Sequence, residues 1–166
     1  MTAADIAALA SAFAATAAWF NVYVQNRNTR RNRSIDLLLK KEAEFDSERM
    51  QKTRSKAAKA LLEGENSSIE IDRVLDFMES VAGLVMQDDL AGDHAWSTFY
   101  HWFSHYYYAT YEYVKSARSE DISIWCDLID LHERMEGIQR NQGSPLPNNL
   151  PKKLKKFLQE EVELVE

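Results

Sequence analysis

The sequence has 166 residues and a formal net charge of −6, which excludes nucleic acid as the default partner because phosphate backbones attract basic surfaces. Its one cysteine, Cys126, excludes an internal disulfide and a metal site built from several cysteines. With only five glycines and three prolines, the chain is poor in turn signals and rich in helix formers, so we predict an all-α protein.

The chain opens with an alanine-rich stretch that carries no charged side chain from Ile6 to Asn26. As a helix this stretch would extend roughly 32 Å, enough to cross a bilayer core of about 30 Å. Trp19 and Tyr23 lie near its carboxyl end, where membrane helices concentrate aromatic side chains. We therefore predict that residues 1–26 form a transmembrane anchor.

The charges that flank this stretch predict its orientation. Only Asp5 and the amino terminus precede it, whereas four arginines follow it directly, namely Arg27, Arg30, Arg31 and Arg33. Because basic residues favour the cytoplasmic side of a membrane, we expect the amino terminus outside and residues 27–166 in the cytoplasm. The chain would then be a single-pass protein of the inner (cell) membrane, with the lipid bilayer as a partner.

Two other interpretations of the opening helix stay open. A cleaved signal peptide is disfavoured because no basic segment precedes the apolar stretch, although the triplet at 15–17 resembles a cleavage site. A soluble, alanine-rich helix that forms the seam of a homo-oligomer is the second alternative. Small residues recur every four positions along the stretch, a spacing that also suits association of helices in lipid.

Residues 27–63 are predicted to form a basic juxtamembrane segment followed by one long polar helix that begins at Ser34. The middle of this helix is almost wholly charged and polar, which favours a solvated helix that protrudes as a stalk or packs lightly on the domain. The segment "GENSS" at 64–68 interrupts the pattern. Ser67 and Glu70 then predict a capping box that opens the next helix.

Residues 64–137 are predicted to form the helical core domain, a small antiparallel bundle. Its first helix has a broad apolar face, formed by Ile71, Val74, Leu75, Met78, Val81, Ala82 and Val85. After an acidic turn at 88–93, Asp93 is expected to cap an aromatic helix that continues to about Arg118.

The end of the chain shows further helix signals. Ser119 or Asp121 is expected to cap a helix that Gly137 ends. Residues 138–166 are predicted to form a loop and a C-terminal amphipathic helix, which begins near Pro151 because proline suits a first helical turn.

The aromatic helix carries the one pattern that resembles a metal site. His101 and His105 are four positions apart, the separation at which two imidazoles of one helix can hold a metal ion. They belong to a stripe that also contains His94, Tyr108 and Glu112, and a third ligand would come from another helix, at His132 or Asp130. No HExxH motif and no paired ExxH motif accompanies them, so we expect a structural or surface role and no bound metal.

The same helix holds more aromatic residues than one core face needs. The core face is predicted at Trp96, Phe99, Tyr100, Phe103, Tyr106, Tyr107, Thr110 and Val114. Four residues remain outside it, namely Trp102, Tyr108, Tyr111 and Tyr113. Because amphipathic aromatic side chains are enriched at interfaces, we predict that some of these line a partner-binding surface. The alternative is a central helix that is buried on two sides.

Catalytic signals are weak throughout the chain. The sequence contains no glycine-rich phosphate loop and no GxSxG nucleophile motif, and the acidic turn at 88–93 has too few ligands for calcium. Cys126 lies beside Trp125 in a predicted helix, so we expect a buried, inert thiol. We predict neither enzyme activity nor a cofactor.

Four segments together resemble a bacterial family described as a domain of unknown function, number 4760. They are "VLDFMESVAGLV", the turn "DDLAGD", the Trp- and Tyr-rich helix from Trp96 to Tyr113, and "WCDLIDL". The resemblance covers roughly residues 5–137 and implies an N-terminal membrane helix, a polar helix and a helical domain. It implies no activity and no functional residues.

Together these patterns favour a membrane-anchored helical protein that acts by protein–protein interaction, as an adaptor, a regulator or a component of a membrane-associated system such as phage defence. The partner protein is not identified by the sequence. The alternatives are a metal-binding helical protein that uses His101 and His105, and a soluble helical oligomer.

Overall fold

The computed structural model describes the backbone of residues 3–65, 67–141, 143 and 150–165, and the side chains of these residues except 3–17, 150, 151 and 165. This part of the chain forms seven α-helices and no strand, which confirms the all-α prediction. They are α1 (Ala3–Phe45), α2 (Glu48–Leu62), α3 (Ile69–Met86), α4 (Gly92–Ala109), α5 (Tyr111–Glu120), α6 (Cys126–Asn141) and α7 (Leu150–Val162), with a 3₁₀ turn at Glu163–Val165.

The centre of the domain is α3, which packs against α2, α4 and α6. All seven apolar residues predicted for its inner face are buried, because an apolar position every three or four residues forms one continuous stripe on a helix. Phe45 at the end of α1 joins this core, with its ring 5.3 Å from that of Phe77. The core is therefore built mainly from helices within residues 45–135.

The predicted long polar helix from Ser34 to Glu63 is wrong, because the chain turns at Asp46 and Ser47. Ser47 adopts an extended conformation, and its hydroxyl oxygen accepts a hydrogen bond from the Met50 amide at 3.2 Å. A serine in this geometry caps the helix that follows it, so a separate helix, α2, begins at Glu48.

The helix caps in the core domain also differ from those predicted. Ser68, and not Ser67, caps α3 by accepting a hydrogen bond from the Ile71 amide. Asp93 lies inside α4, whose N-cap is Ala91. Neighbouring serines and aspartates carry similar capping potential, so the sequence locates a helix start only to within a residue or two.

The aromatic helix does not continue to Arg118, because it breaks at Thr110 between α4 and α5. The Thr110 side chain is buried, and its hydroxyl donates a hydrogen bond of 2.8 Å to the Tyr106 carbonyl. A threonine that bonds to the carbonyl four residues before it competes with regular helix geometry. The last aromatic residues, Tyr111 and Tyr113, therefore belong to a separate short helix.

The start and the end of α6 differ from the prediction as well. The carboxylate of Glu79 on α3 accepts hydrogen bonds from the amides of Asp127 and Leu128, at 3.2 and 2.7 Å. A distant carboxylate, and not Ser119 or Asp121, thus caps α6. At the other end the helix continues past Gly137 to Asn141.

The predicted burial of Cys126 is wrong, because its side chain is exposed at the first position of α6. Trp125 beside it has a positive φ of 48°, which turns the indole into the core and leaves the thiol outside. Ile122, three residues before Trp125, is 76% exposed although its apolar side chain would favour an inward position.

The C-terminal helix α7 begins at Leu150 with Pro151 in its first turn, as predicted. It packs against α2 and α4, and its residues Phe157 and Leu158 are buried. This helix is therefore part of the domain and not an appendage on its surface.

The first half of α1 has a different character. From Ala18 to Arg33 every side chain except Val24 is exposed, and Ser34 is the first buried residue among the described side chains of the helix. Ser34 accepts a hydrogen bond from the Ala91 amide at 3.0 Å, which fixes α1 to the start of α4. For the predicted anchor over residues 1–26, the structure describes the side chains only from Ala18 onwards.

Among the residues that the structure describes, no helix is both long enough and apolar enough to cross a membrane.

Candidate functional site

The predicted histidine pair lies at the contact between α4 and α7. The rings of His101 and His105 are 4.5 Å apart, and Nδ1 of His105 lies 2.6 Å from the His101 carbonyl oxygen. Phe157 of α7 packs against both rings, with centroids 5.6 and 4.7 Å away. Burial lowers the pKa of His101, and electrostatic repulsion from the adjacent His105 ring lowers it further.

This arrangement packs the two imidazoles against a phenyl ring. In the described part of the chain, no group of three or more His, Cys, Asp or Glu side chains converges closely enough to hold a metal ion. The two residues proposed as a third ligand lie on α6, where His132 is buried and Asp130 is exposed.

His132 belongs to a second aromatic cluster, between α4 and α6. Its ring stacks on that of Tyr107, with centroids 3.7 Å apart, and its Nε2 atom lies 3.6 Å from a Glu136 carboxylate oxygen. The Tyr108 hydroxyl donates a hydrogen bond to the same carboxylate. Burial lowers the pKa of His132 to about 4, against the attraction of Glu136.

A buried polar network joins α2, α4 and α7. Nε of Arg54 lies 3.3 Å from a Glu161 carboxylate oxygen, and the Tyr106 hydroxyl donates a hydrogen bond of 2.9 Å to that oxygen. The Arg54 guanidinium also lies 3.9 Å from the centroid of the Phe45 ring. Burial raises the pKa of Glu161, while Arg54 and the hydrogen bond from Tyr106 oppose this shift.

The sequence analysis missed this network. Arg54 occurs in a helix crowded with charged residues, and Glu161 occurs in an acidic run at the end of the chain. Nothing in either local pattern distinguishes a buried charge from its solvated neighbours. The one available signal is Tyr106, whose position on the core face requires a hydrogen-bond partner from another helix.

The structure separates the four aromatic residues that we predicted for an interaction surface. Trp102 is half-buried, with its ring 5.1 Å from that of Phe45. The Tyr113 hydroxyl donates a hydrogen bond of 2.7 Å to Asp72, and burial together with this bond raises the pKa of Tyr113 to about 12. Tyr108 bonds to Glu136, as described above.

Tyr111 is the exposed member of the four, at 45%. It lines an open groove of about 350 Å³ between α5 and the start of α6, together with Tyr107, Val114, Ile122 and Ile129. The rim carries Lys115 and Arg118. Apolar walls with a basic rim suit an acidic segment that presents an apolar side chain. We call this feature the α5–α6 groove.

The predicted membrane-flanking arginines divide into two groups. Arg33 lies 3.4 Å from a carboxylate oxygen of Asp89, on an exposed surface. Arg27, Arg30 and Arg31 lie on the same side of α1 as Ser34, where they face the start of α4 across a cleft.

Comparison with known proteins gives one family match. The model of a family described as "Domain of unknown function (DUF4760)" matches residues 3–135. The chain belongs to this family. The match confirms the resemblance found in the sequence, and it includes α1 with its uncharged stretch but ends within α6.

No curated protein and no solved structure matches the chain significantly. The DUF4760 match ends before α7, which supplies Phe157, Leu158 and Glu161 to the buried interior. The part of the chain that matches the family is therefore completed by a helix outside the matched range.

Proposed function

We propose that this DUF4760 protein is anchored in the inner (cell) membrane by the first half of α1, with its amino terminus outside. The helical domain that follows lies in the cytoplasm and binds another protein, as an adaptor or regulator. No catalytic step is part of this proposal.

The observation that carries the proposal is the exposure of large apolar side chains on α1. Trp19 is 79% exposed, Phe20 67% and Tyr23 63%, and no charged residue interrupts the sequence from Ile6 to Asn26. A contiguous apolar surface of this kind indicates contact with lipid or with another protein. The alanine-rich residues before Trp19 extend it to a length that suits a bilayer.

The arginines after this surface support the lipid interpretation. Arg27, Arg30, Arg31 and Arg33 are all exposed and follow the uncharged stretch without a gap. A basic side chain next to an anionic membrane surface contributes about 1 kcal/mol of attraction. This one-sided distribution of charge favours a cytoplasmic location for the domain.

The α5–α6 groove is the partner-binding surface that we propose. Tyr111 and Ile122 expose apolar surface there, at 45% and 76%, while Lys115 and Arg118 supply positive charge at the rim. We expect a partner segment with an apolar anchor flanked by carboxylates, since apolar contact supplies affinity and opposite charges supply orientation.

The single exposed cysteine allows a direct test of the topology. Cys126 lies in the domain, so a membrane-impermeant maleimide should label it in inverted membrane vesicles but not in intact spheroplasts. A variant with Cys126→Ser and a new cysteine at Thr2 should give the opposite pattern. Labelling of Cys126 from outside the cell would contradict the proposed orientation.

Site-specific photocrosslinking in cells tests the groove. A crosslinker at position 122 should give a discrete product, whereas one at Ile69, which is also exposed but lies on α3, should not. Lys115→Glu should abolish the product because it reverses the charge of the rim, while Lys56→Glu on α2 should leave it intact. Equal products from positions 122 and 69 would contradict the proposal.

A further inference from the structure

A basic cleft of about 470 Å³ lies between α1, the start of α4 and α6. Arg27, Arg30 and Arg31 approach from α1, and Arg134 approaches from α6. Leu90 and Gly92 line the cleft near the first turn of α4. Residues that are far apart in the sequence thus line one cleft with four arginines, in a chain whose net charge is −6.

These guanidinium groups have no carboxylate partner among the described residues. Across the described ranges, none of the four lies within ion-pairing distance of an Asp or Glu side chain. Asp88 is the single acidic residue that lines the cleft, while Asp89 pairs with Arg33. The cleft therefore carries an excess of positive charge, which an anion would neutralise.

The start of α4 adds to this positive charge. Within the described chain, no side chain caps α4 at Ala91, and the amides of Gly92 and Asp93 make no hydrogen bond, whereas the His94 amide bonds to the Ala91 carbonyl. The positive end of the helix dipole points into a cleft that already holds arginines. A cation beside a helix amino terminus is unfavourable unless an anion lies between them.

Gly92 permits close approach of Arg134 to this helix end. A Cβ atom at position 92 would lie 3.0 Å from Nε of Arg134 and 3.2 Å from its Cζ. A residue larger than glycine at position 92 would therefore displace the Arg134 guanidinium. Beside it, Nδ1 of His94 is buried and has no hydrogen-bond partner in the described structure.

We propose that this cleft binds a terminal phosphate group that carries two negative charges. The planar guanidinium groups and the free helix amides match the oxygens of a dianion, and four arginines with one aspartate favour two negative charges over one. The group belongs either to free phosphate or to a lipid headgroup such as that of phosphatidic acid. Binding in the cleft does not require that α1 be an anchor.

Two variants and one matched control test the cleft without altering α1. Arg134→Gln removes one guanidinium, and Arg140→Gln is its matched control because Arg140 is also exposed on α6 but lies outside the cleft. Asp88→Asn removes the one opposing charge, and asparagine tolerates the positive φ of 58° at that position. We expect the affinity for phosphate to fall about tenfold in Arg134→Gln and to rise in Asp88→Asn.

The first arm of the test titrates inorganic phosphate against full-length protein, in neutral detergent if detergent is needed, with chloride at matched ionic strength as the reference. At ten times its Kd, phosphate should raise the Tm of the wild type and of Arg140→Gln by roughly 3 to 6 °C. The Tm of Arg134→Gln should change little at that phosphate concentration. The Tm of Asp88→Asn should rise at lower phosphate concentrations than that of the wild type.

The second arm places the full-length protein in phosphatidylcholine nanodiscs that contain phosphatidic acid or phosphatidylglycerol. If phosphatidic acid raises the Tm and phosphatidylglycerol does not, and if the variants rank as they do with phosphate, the proposal is supported and the ligand is a lipid headgroup. Equal stabilisation by phosphatidylglycerol, a phosphodiester, would overturn it in favour of diffuse attraction. No response in either arm, or the same response in Arg134→Gln and Arg140→Gln, would also overturn it.

Discussion

The ion pair between Arg54 and Glu161 places two charges in the interior, where each loses its hydration. Both side chains are almost fully buried, and Nη1 of Arg54 has no hydrogen-bond partner in the part of the chain described. The Phe45 ring beneath the guanidinium and the Tyr106 hydroxyl compensate only in part. Such a pair specifies how α7 docks more than it adds to stability, because desolvation offsets much of the attraction.

Breaking this pair from one side should be costly. Glu161→Ala leaves the Arg54 guanidinium buried without a carboxylate, so we expect a loss of about 3–5 kcal/mol in the free energy of unfolding. Replacing both residues, by Arg54→Met and Glu161→Leu, should lose much less. Urea unfolding of Arg54→Met, Glu161→Leu and the variant that combines them gives the coupling energy.

The neighbouring residue supplies the control for that cycle. Glu160 is exposed and pairs with Lys156 at 3.2 Å, so Glu160→Ala should change stability by less than about 1 kcal/mol. If Glu161→Ala were as mild as Glu160→Ala, the ion pair would not be buried in solution.

His132 should make the stability of the domain depend on pH. The folded protein keeps this imidazole neutral down to its pKa of about 4, whereas a histidine in an unfolded chain has a pKa of about 6.5. Unfolding therefore takes up a proton between these values, and the contribution to stability is complete above pH 6.5 and declines as the pH falls towards 4. At pH 5 the loss should be about 2 kcal/mol.

Urea unfolding at pH 7 and pH 5 measures this loss. In His132→Gln the change between the two pH values should be smaller by that amount, because the variant keeps the carboxylates and the other histidines but not this imidazole. Identical pH profiles for the wild type and His132→Gln would contradict the burial of His132.

At the scale of the helices, α7 is the element that we expect to contribute strongly to the free energy of unfolding. It lies outside the residues that match DUF4760, yet it covers α2 and buries Phe157, Leu158 and Glu161. Loss of one large buried apolar side chain typically costs 2–5 kcal/mol, and this helix contributes two. Its docking therefore accounts for a large share of the 5–15 kcal/mol that stabilises a typical domain.

Removal of α7 should destabilise the domain for two separable reasons. A chain that ends at Gly143 loses the apolar contacts of α7 and also leaves Arg54 without Glu161. We expect a loss of at least about 5 kcal/mol. Adding Arg54→Met to the truncated chain should restore part of that loss, because it removes the unpaired charge. Melting curves followed by circular dichroism measure both effects, and equal Tm values for full-length and truncated chains would contradict the docking of α7.

The helices themselves were largely predictable because each carries its own apolar stripe. All the residues predicted for the inner face of α3 are buried, and so are Phe99, Phe103 and Tyr106 of α4. The breaks were not predictable at the residue level. Ser47 starts α2 and Thr110 interrupts the aromatic helix through hydrogen bonds that many serines and threonines do not make, and propensity alone does not distinguish them.

Contacts between distant residues explain the remaining differences. The cap of α6 comes from Glu79 on another helix, and the partners of Tyr113 and Tyr108 are Asp72 and Glu136. No spacing in the sequence reveals these pairs. The predicted cluster of four aromatic residues therefore separates in the fold, and the basic cleft appears only when α1, α4 and α6 meet.

At the scale of the whole molecule, the chain divides into a packed domain and an exposed helical extension. The side chains of Ala18–Arg33 contribute almost nothing to the core, although the DUF4760 match includes them. Exposed Trp19, Phe20 and Tyr23 lie on one side of the arginine group, and the domain lies on the other. The proposed attachment to a membrane would give this arrangement a physical reason that the contacts of the domain do not supply.

Extraction of cell membranes with alkaline carbonate tests the proposed anchor most directly. Full-length protein should stay in the membrane pellet, and so should Leu39→Lys, which adds a charge to α1 beyond the arginines. Phe13→Lys should shift protein to the supernatant, because a lysine near the centre of a membrane helix costs about 3 kcal/mol. Release of the wild-type protein into the supernatant would contradict the anchor and, with it, the cytoplasmic interaction role proposed for the domain.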